Sequence, residues 1–244
     1  MKYMGSKSRF AKAIYNKICK LSPRNGRAWV EPFAGGMNMI CEVPQEDGPR
    51  YANDCNRYLI ELFKATIAGV EFPEFVTSEE RKLIKQNPEK YHPWQVGYAG
   101  FICGFGGDFN GGFAGYYPES RRKTNGELPS YQKESSNSIK KQAKKMQDVF
   151  FCNASYDEIQ IPENSIVYCD PPYQGVTGYG IEFNHIKFWN WVRDISKFHD
   201  VFVSEYAAPK DFECVWQSET QSQMSANGKS GGTKFSVEKL FRVI

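Results

Sequence analysis

The sequence predicts an α/β fold, an open Rossmann-like sheet with helices between its strands and a mainly helical insertion. Three stretches predict it. Ser165-Ile166-Val167-Tyr168-Cys169 is an apolar run of strand type that stops at Asp170-Pro171-Pro172-Tyr173, where two prolines cannot extend a hydrogen-bonded ladder. Ala28-Trp29-Val30-Glu31 is a second run, entering the turn Pro32-Phe33-Ala34-Gly35-Gly36. Arg50-Tyr51-Ala52-Asn53-Asp54 is a third, ending in an acid about one strand–helix unit later. Acids and glycines at the carboxyl ends of strands mark the edge where open α/β sheets bind ligands.

The elements follow in chain order. Residues 2–7 precede a helix with Phe10, Ala13, Ile14 and Ile18 at helical spacing, for which Ser6 or Ser8 is available as a cap. Residues 37–42 continue from the glycine turn in a helix-like pattern, and residues 56–68 form an amphipathic helix with Leu59, Ile60, Phe63 and Ile67 on one side. Residues 72–91 are charged and partly helical. Residues 97–117 are dense in glycine and aromatics, which suggests irregular backbone packed by rings or loops that approach a partner. Residues 138–149 read as a basic amphipathic helix. Residues 174–183 have a lid-like composition, with Tyr179 and Phe183 as candidate pocket walls. His185 opens a helix carrying Phe188, Trp189, Trp191, Val192 and Ile195, and is read as structural. Strands are expected at 201–206 and 235–243, with a Ser/Gln/Gly/Asn-rich hairpin loop at 217–233.

Composition narrows the class. A chain of 244 residues holds one α/β domain, or one domain with an insertion. A net charge of +3 does not by itself argue for nucleic acid, but residues 119–145 gather eight basic side chains against three acids. The seven cysteines include no Cys-x-x-Cys pair, which argues against a zinc site or a disulfide framework and fits a reducing cytoplasm. No apolar run is long enough to span a membrane and no signal-peptide pattern is present, so no membrane partner is expected.

The chemistry open to Asp170-Pro171-Pro172-Tyr173 is narrow. The Asp170 carboxylate and the Pro171 carbonyl can each accept a hydrogen bond from an amine, and Tyr173 offers a ring for a planar base to stack on. Two acceptors and a stacking ring suit an exocyclic amine on a heteroaromatic base. A turn closed by an aspartate is the bland alternative.

This tetrapeptide resembles the catalytic motif of the amino-methyltransferases, which methylate adenine or cytosine amines in DNA. Tyr3-Met4-Gly5-Ser6-Lys7 resembles the family's amino-terminal motif, Glu31-Pro32-Phe33-Ala34-Gly35-Gly36 its cofactor loop, and Asn53-Asp54 its ribose-binding pair. The order of these motifs is similar to that of the alpha group, which includes the Dam-type adenine enzymes, and the likeness covers residues 1–68 and 149–206. It implies S-adenosylmethionine as cofactor, bound by Tyr3, Lys7, Glu31, Pro32, Phe33, Ala34, Gly35, Gly36, Asp54 and Asp170. It also implies Asp170, Pro171, Pro172 and Tyr173 as the catalytic group. The expected division is a catalytic domain of residues 1–68 and 149–244 around a target-recognition domain of residues 69–148. There Arg121, Arg122, Lys123, Lys140 and Lys144 would hold DNA phosphates. Two departures stand out: Met37 replaces a third glycine, and Ser155 replaces a usual acid, so contact with the cofactor's adenine falls to Ser155, Tyr156 or Asp157.

The implied activity is methyl transfer to a flipped-out adenine in double-stranded DNA by a monomer, with no metal. Transfer to the cytosine amine, or a silent DNA-binding relative, remains compatible with the motifs.

Overall fold

The computed structural model describes residues 1–175, 183–222 and 234–244. Tyr179 and most of the expected hairpin loop lie outside the described residues. Helix α1 (Ala11–Leu21) buries Ala11, Ile14, Tyr15 and Ile18. Neither serine caps it. Phe10 takes the N-cap position, and Ser6 Oγ accepts from the Ser8 amide and from Asn38 Nδ2 instead.

Strand β1 (Trp29–Glu31) leads into the glycine turn, and β2 (Arg50–Asn53) into α2 (Arg57–Ile67). The Asn56 side chain caps α2 by accepting from the Tyr58 and Leu59 amides. The helix expected at 37–42 shrinks to a single 3-10 turn, Ile40–Glu42. Its cause is local: Met37 sits at φ 58, a left-handed conformation that no right-handed helix continues through.

Residues 69–148 hold α3 (Ser78–Gln86), closed by a capping box between Thr77 and Glu80, and α4 (Pro93–Gly97), which runs into a π-helical turn at Tyr98–Ile102. They also hold α5 (Tyr131–Ala143). Helix α5 starts earlier than its basic face suggested, because the Ser130 side chain accepts from the Lys133 amide, and it ends before β3 (Val149–Cys152). The remaining elements are β4 (Ile166–Cys169), α6 (His185–Ile195), β5 (Asp200–Glu205), β6 (Phe212–Ser222) and β7 (Lys234–Val243). Residues 217–222, expected in a loop, pair in register with β7.

These strands form one seven-stranded sheet in the order β3-β2-β1-β4-β5-β7-β6. The first five are parallel, and β7 runs antiparallel to both neighbours. The order reverses between β1 and β4, which opens a crevice at their carboxyl ends. Strand β4 is buried along its whole length, as an apolar run covered on both faces should be.

One core joins Ile14, Ile18, Trp29, Leu59, Phe63 and Tyr168 to Val76, Phe101, Ile102, Ile139 and Met146, so the stretch 69–148 shares the hydrophobic interior of the sheet. The second core packs Phe188, Trp189 and Val192 of α6 on Val30, Val167, Val203 and Phe241. The glycine density at 97–107 serves this close packing. A Cβ on Gly97 would stand 2.2 Å from the Tyr58 carbonyl, and one on Gly107, at φ +74, 2.0 Å from the Lys2 carbonyl. No helix among the described residues is long and apolar enough to cross a membrane.

Candidate active site

A cleft opens at the carboxyl ends of β1, β2 and β4, where the strand order reverses. Its walls are the 3–7 segment, Glu31 and the Phe33–Gly36 turn, Asp54 to Asn56, and Tyr168, Asp170 and Pro172. Sequence motifs spread over some 170 residues are thus brought to one cavity by strand order alone.

The glycine turn is held from two sides. Gly35, at φ 47, donates its amide to Asp54 Oδ2 at 3.0 Å, and the other Asp54 oxygen accepts from the Asn56 amide at 2.9 Å. Both bonds favour the carboxylate form, while burial pushes the Asp54 pKa up and prevails. On the opposite side the Tyr3 ring lies against the turn. A Cβ on Gly36 would stand 2.6 Å from Tyr3 Cβ, which explains the glycine. Gln142 of α5 ties the turn down further, donating to the Gly36 carbonyl at 3.0 Å and to Asn38 Oδ1 at 3.1 Å.

Asn53 does not join Asp54 as a ligand-facing pair. It is 3% exposed, and its side chain donates to the Pro32 and Ala154 carbonyls and accepts from the Ala154 amide. It is a clip across the ends of the strands. Glu31 lies at the base of the cleft, 1% exposed, with Trp29 Nε1 donating to it at 2.8 Å. Burial pushes its pKa up to about 8.

The Asp170–Tyr173 tetrapeptide leaves β4 into a group of charges. Lys7 Nζ stands 2.9 Å from Asp170 Oδ1 and 3.7 Å from Glu238 Oε1, and lies 4.5 Å from the centre of the Tyr173 ring. Burial raises the Asp170 pKa, and the Lys7 ammonium opposes that shift. The Tyr173 ring does not offer an open face. It is 7% exposed, its hydroxyl donates to Glu238, and Tyr206 meets it edge-on at 4.7 Å. Glu205 of β5 accepts the Gln174 amide at 3.1 Å and the Tyr206 amide at 2.7 Å, fixing the backbone just past the motif. Burial brings its pKa up to about 7.

Other expected site residues lie elsewhere. Ser155 and Tyr156 are not among the cleft's walls. Ser155 donates to Asp157, Asp157 pairs with Lys187 at 2.5 Å, and the Tyr156 ring stacks on Phe33 at 5.1 Å within a cluster that includes Phe183, Phe188 and Trp191. Phe33 therefore shows one side to the cleft and the other to that cluster.

Of the basic residues, Arg122 forms a two-pronged pair with Glu119, and Lys123 and Lys133 share Glu127. Lys140 lies over the Phe72 ring at 5.9 Å, while Arg121 and Lys144 are exposed. Beside them the glycine-rich loops present aromatic surface: Phe105 is 58% exposed and packs against Tyr131, which in turn stacks on Tyr117 and sits under the Lys2 ammonium.

Glu205, Glu238, Asn38 and Gln142 were not picked out by sequence reasoning. Glu238 left one trace, a carboxylate two residues before the fully buried Leu240 on the same face of a strand.

The donor set suits a cationic ligand with hydroxyl groups. Glu31, Asp54 and Asp170 place three carboxylates around one cleft against the single ammonium of Lys7 among its walls. Together with the glycine turn on β1 and the acid after β2, the sheet is that of an S-adenosylmethionine-dependent methyltransferase. The profile of the D12 class N6 adenine-specific DNA methyltransferases matches residues 3–96 and 106–220, and the chain belongs to that family. S-adenosylmethionine is its methyl donor and adenine in DNA its target class, which sets aside the cytosine alternative.

Among solved structures the chain is similar to yhhF, a candidate methyltransferase from Escherichia coli. Identity is 9%, 96% of this chain and 86% of the other are covered, and the TM-score is 0.40. For HI0767, a candidate methylase from Haemophilus influenzae, identity is 8%, coverage 97% and 89%, and the TM-score 0.36. For SMU.472, a candidate methyltransferase solved with SAH, identity is 10% and the TM-score 0.39, and the match covers 97% of this chain but 52% of the other. No curated protein matches the sequence significantly.

Proposed function

We propose that the chain methylates the exocyclic amine of an adenine flipped out of duplex DNA, with Asp170 as the residue that holds the amine. The observation that carries this reading is that Asp170 and the expected cofactor residues Glu31, Gly35, Gly36 and Asp54 line one cleft. S-adenosylmethionine supplies an electrophilic methyl group on a sulfonium. Asp54 has lone pairs left for ribose hydroxyls, and Glu31, whose carboxyl burial pushes up to about 8, would ionise beside the cationic end of the cofactor and become its counter-charge.

The amine donates to Asp170 and to the Pro171 carbonyl. Both bonds favour the pyramidal nitrogen, whose lone pair would then point at the methyl group that the bound cofactor would supply. The nitrogen then releases a proton, for which the Asp170 carboxylate is the acceptor at hand. Catalysis lies in positioning and in fixed charge, and no covalent intermediate with the enzyme is needed.

Flipping costs a few kcal/mol of stacking and pairing. Contacts to the duplex fall to residues 69–148. Arg121, Lys140 and Lys144 are exposed for phosphates, and Phe105 is exposed for stacking. Arg122 and Lys123 are paired with acids of their own loop, so they shape it as much as they charge it. The test is Asp170→Ala. Transfer from labelled S-adenosylmethionine to unmethylated plasmid DNA should be lost in a variant that still binds the cofactor by calorimetry, and near-normal turnover would end the proposal.

A further inference from the structure

Lys7 occupies two features that a target base would use, the carboxylate for its amine and the ring for stacking. Its ammonium takes the Asp170 oxygen at 2.9 Å and lies 4.5 Å from the centre of the Tyr173 ring. An entering base must displace it. Lys7 is 7% exposed, and an ammonium driven off its carboxylate into such a site is costly unless a second anion receives it.

Glu31 shares the cleft but accepts from Trp29 and, in the proposed reading, serves the cofactor; two further carboxylates lie near Asp170. Glu205 is committed, with one oxygen accepting the Gln174 amide and the other the Tyr206 amide. Glu238 is better placed. It is 7% exposed on β7, and its Oε1, which accepts the Tyr173 hydroxyl, is 3.7 Å from Lys7 Nζ. A movement of about 0.8 Å would bring the ammonium to full hydrogen-bond distance.

We propose that Glu238 is a positioning residue for methyl transfer: it receives the Lys7 ammonium when the target amine takes Asp170, and holds the Tyr173 ring through its hydroxyl. The inference rests on the reading that Asp170 binds the amine. In it Lys7 has two stations, Asp170 before the base enters and Glu238 afterwards, and the carboxylate on β7 keeps the charge balanced throughout.

The test is a double-mutant cycle between Lys7→Ala and Glu238→Gln, read by transfer of labelled methyl from S-adenosylmethionine to unmethylated plasmid DNA. Glutamine keeps an acceptor for the Tyr173 hydroxyl and removes the charge that receives Lys7. Glu238→Gln alone should raise KM for DNA at least tenfold with cofactor Kd within twofold of the parent. In the Lys7→Ala background it should cost nothing further.

If Lys7→Ala is itself inactive, the same cycle is read in equilibrium affinity for the plasmid with S-adenosylhomocysteine bound. A Glu238→Gln variant that behaves as the parent, or an equal loss in both backgrounds, overturns the inference. Asp170→Ala separates the levels. Full transfer by that variant overturns the underlying reading, whereas loss of transfer together with an additive cycle overturns only the role of Glu238.

Discussion

Gly36→Ala puts one methyl group where the structure has no room for it. The new Cβ would lie 2.6 Å from Tyr3 Cβ, about 0.8 Å inside the 3.4 Å at which ordinary contact begins, and 2.9 Å from Asn38 Nδ2. The amino-terminal segment is itself closely packed: the Lys2 carbonyl lies so near Gly107 that even a methyl there would stand 2.0 Å away. The turn is fixed from its own side by Gln142 and Asp54. Overpacking of this kind costs about 1–3 kcal/mol. Because Tyr3 and Gly36 are both walls of the cleft, the strain falls on the site proposed for the cofactor. The expected result is a roughly five- to hundredfold rise in the dissociation constant for S-adenosylmethionine. Isothermal calorimetry measures it, with Gly112→Ala as control, since a Cβ at Gly112 meets nothing within 4 Å. Parent-like affinity in a folded Gly36→Ala variant would refute the packing argument.

Three further predictions test other parts of the account. Asn53→Ala removes three hydrogen bonds to the strand-end backbone and should lower unfolding free energy by about 2–4 kcal/mol in urea denaturation. Glu31 titrates near 8 in the folded protein against 4.5 ordinarily, so the folded state binds the extra proton between those values. Stability contributed by that proton is full below about pH 4.5 and is lost as pH rises towards 8, and Glu31→Gln should flatten this part of the pH–stability curve in urea titrations. Phe105→Ala should weaken plasmid binding about fivefold or more with melting temperature unchanged, because the ring is mostly exposed and stacking on a base is worth about 1–3 kcal/mol.

The parts legible in the sequence are those written in local chemistry. Asp170-Pro171-Pro172-Tyr173 ends β4, the Phe33–Gly36 turn follows β1, and Asp54 follows β2, because prolines, glycines and acids act on their own stretch of backbone. The helix expected at 37–42 failed for a reason sequence periodicity does not carry: Met37 is left-handed where a glycine would adopt that conformation freely, and the buried side chain holds it there. Asn53 was grouped with Asp54 by adjacency, yet Asn53, the last residue of β2, spends its side chain on the Pro32 and Ala154 backbone, and only Asp54, just past the strand, turns to the cleft. Tyr156 looked like a cofactor contact but sits in an aromatic cluster built from α6 and Phe33. Glu205 and Glu238 come from β5 and from the antiparallel β7, and their meeting with Lys7 and Tyr173 depends on sheet order, which no local pattern encodes.

The cleft between β1 and β4 is proposed to transfer a methyl group to the adenine amine. Unmethylated plasmid DNA incubated with the protein and labelled S-adenosylmethionine, then digested to nucleosides and analysed by mass spectrometry, tests it directly. Label is expected in N6-methyladenine. Label in a methylated cytosine, or none in DNA by a protein that binds the cofactor, would contradict it.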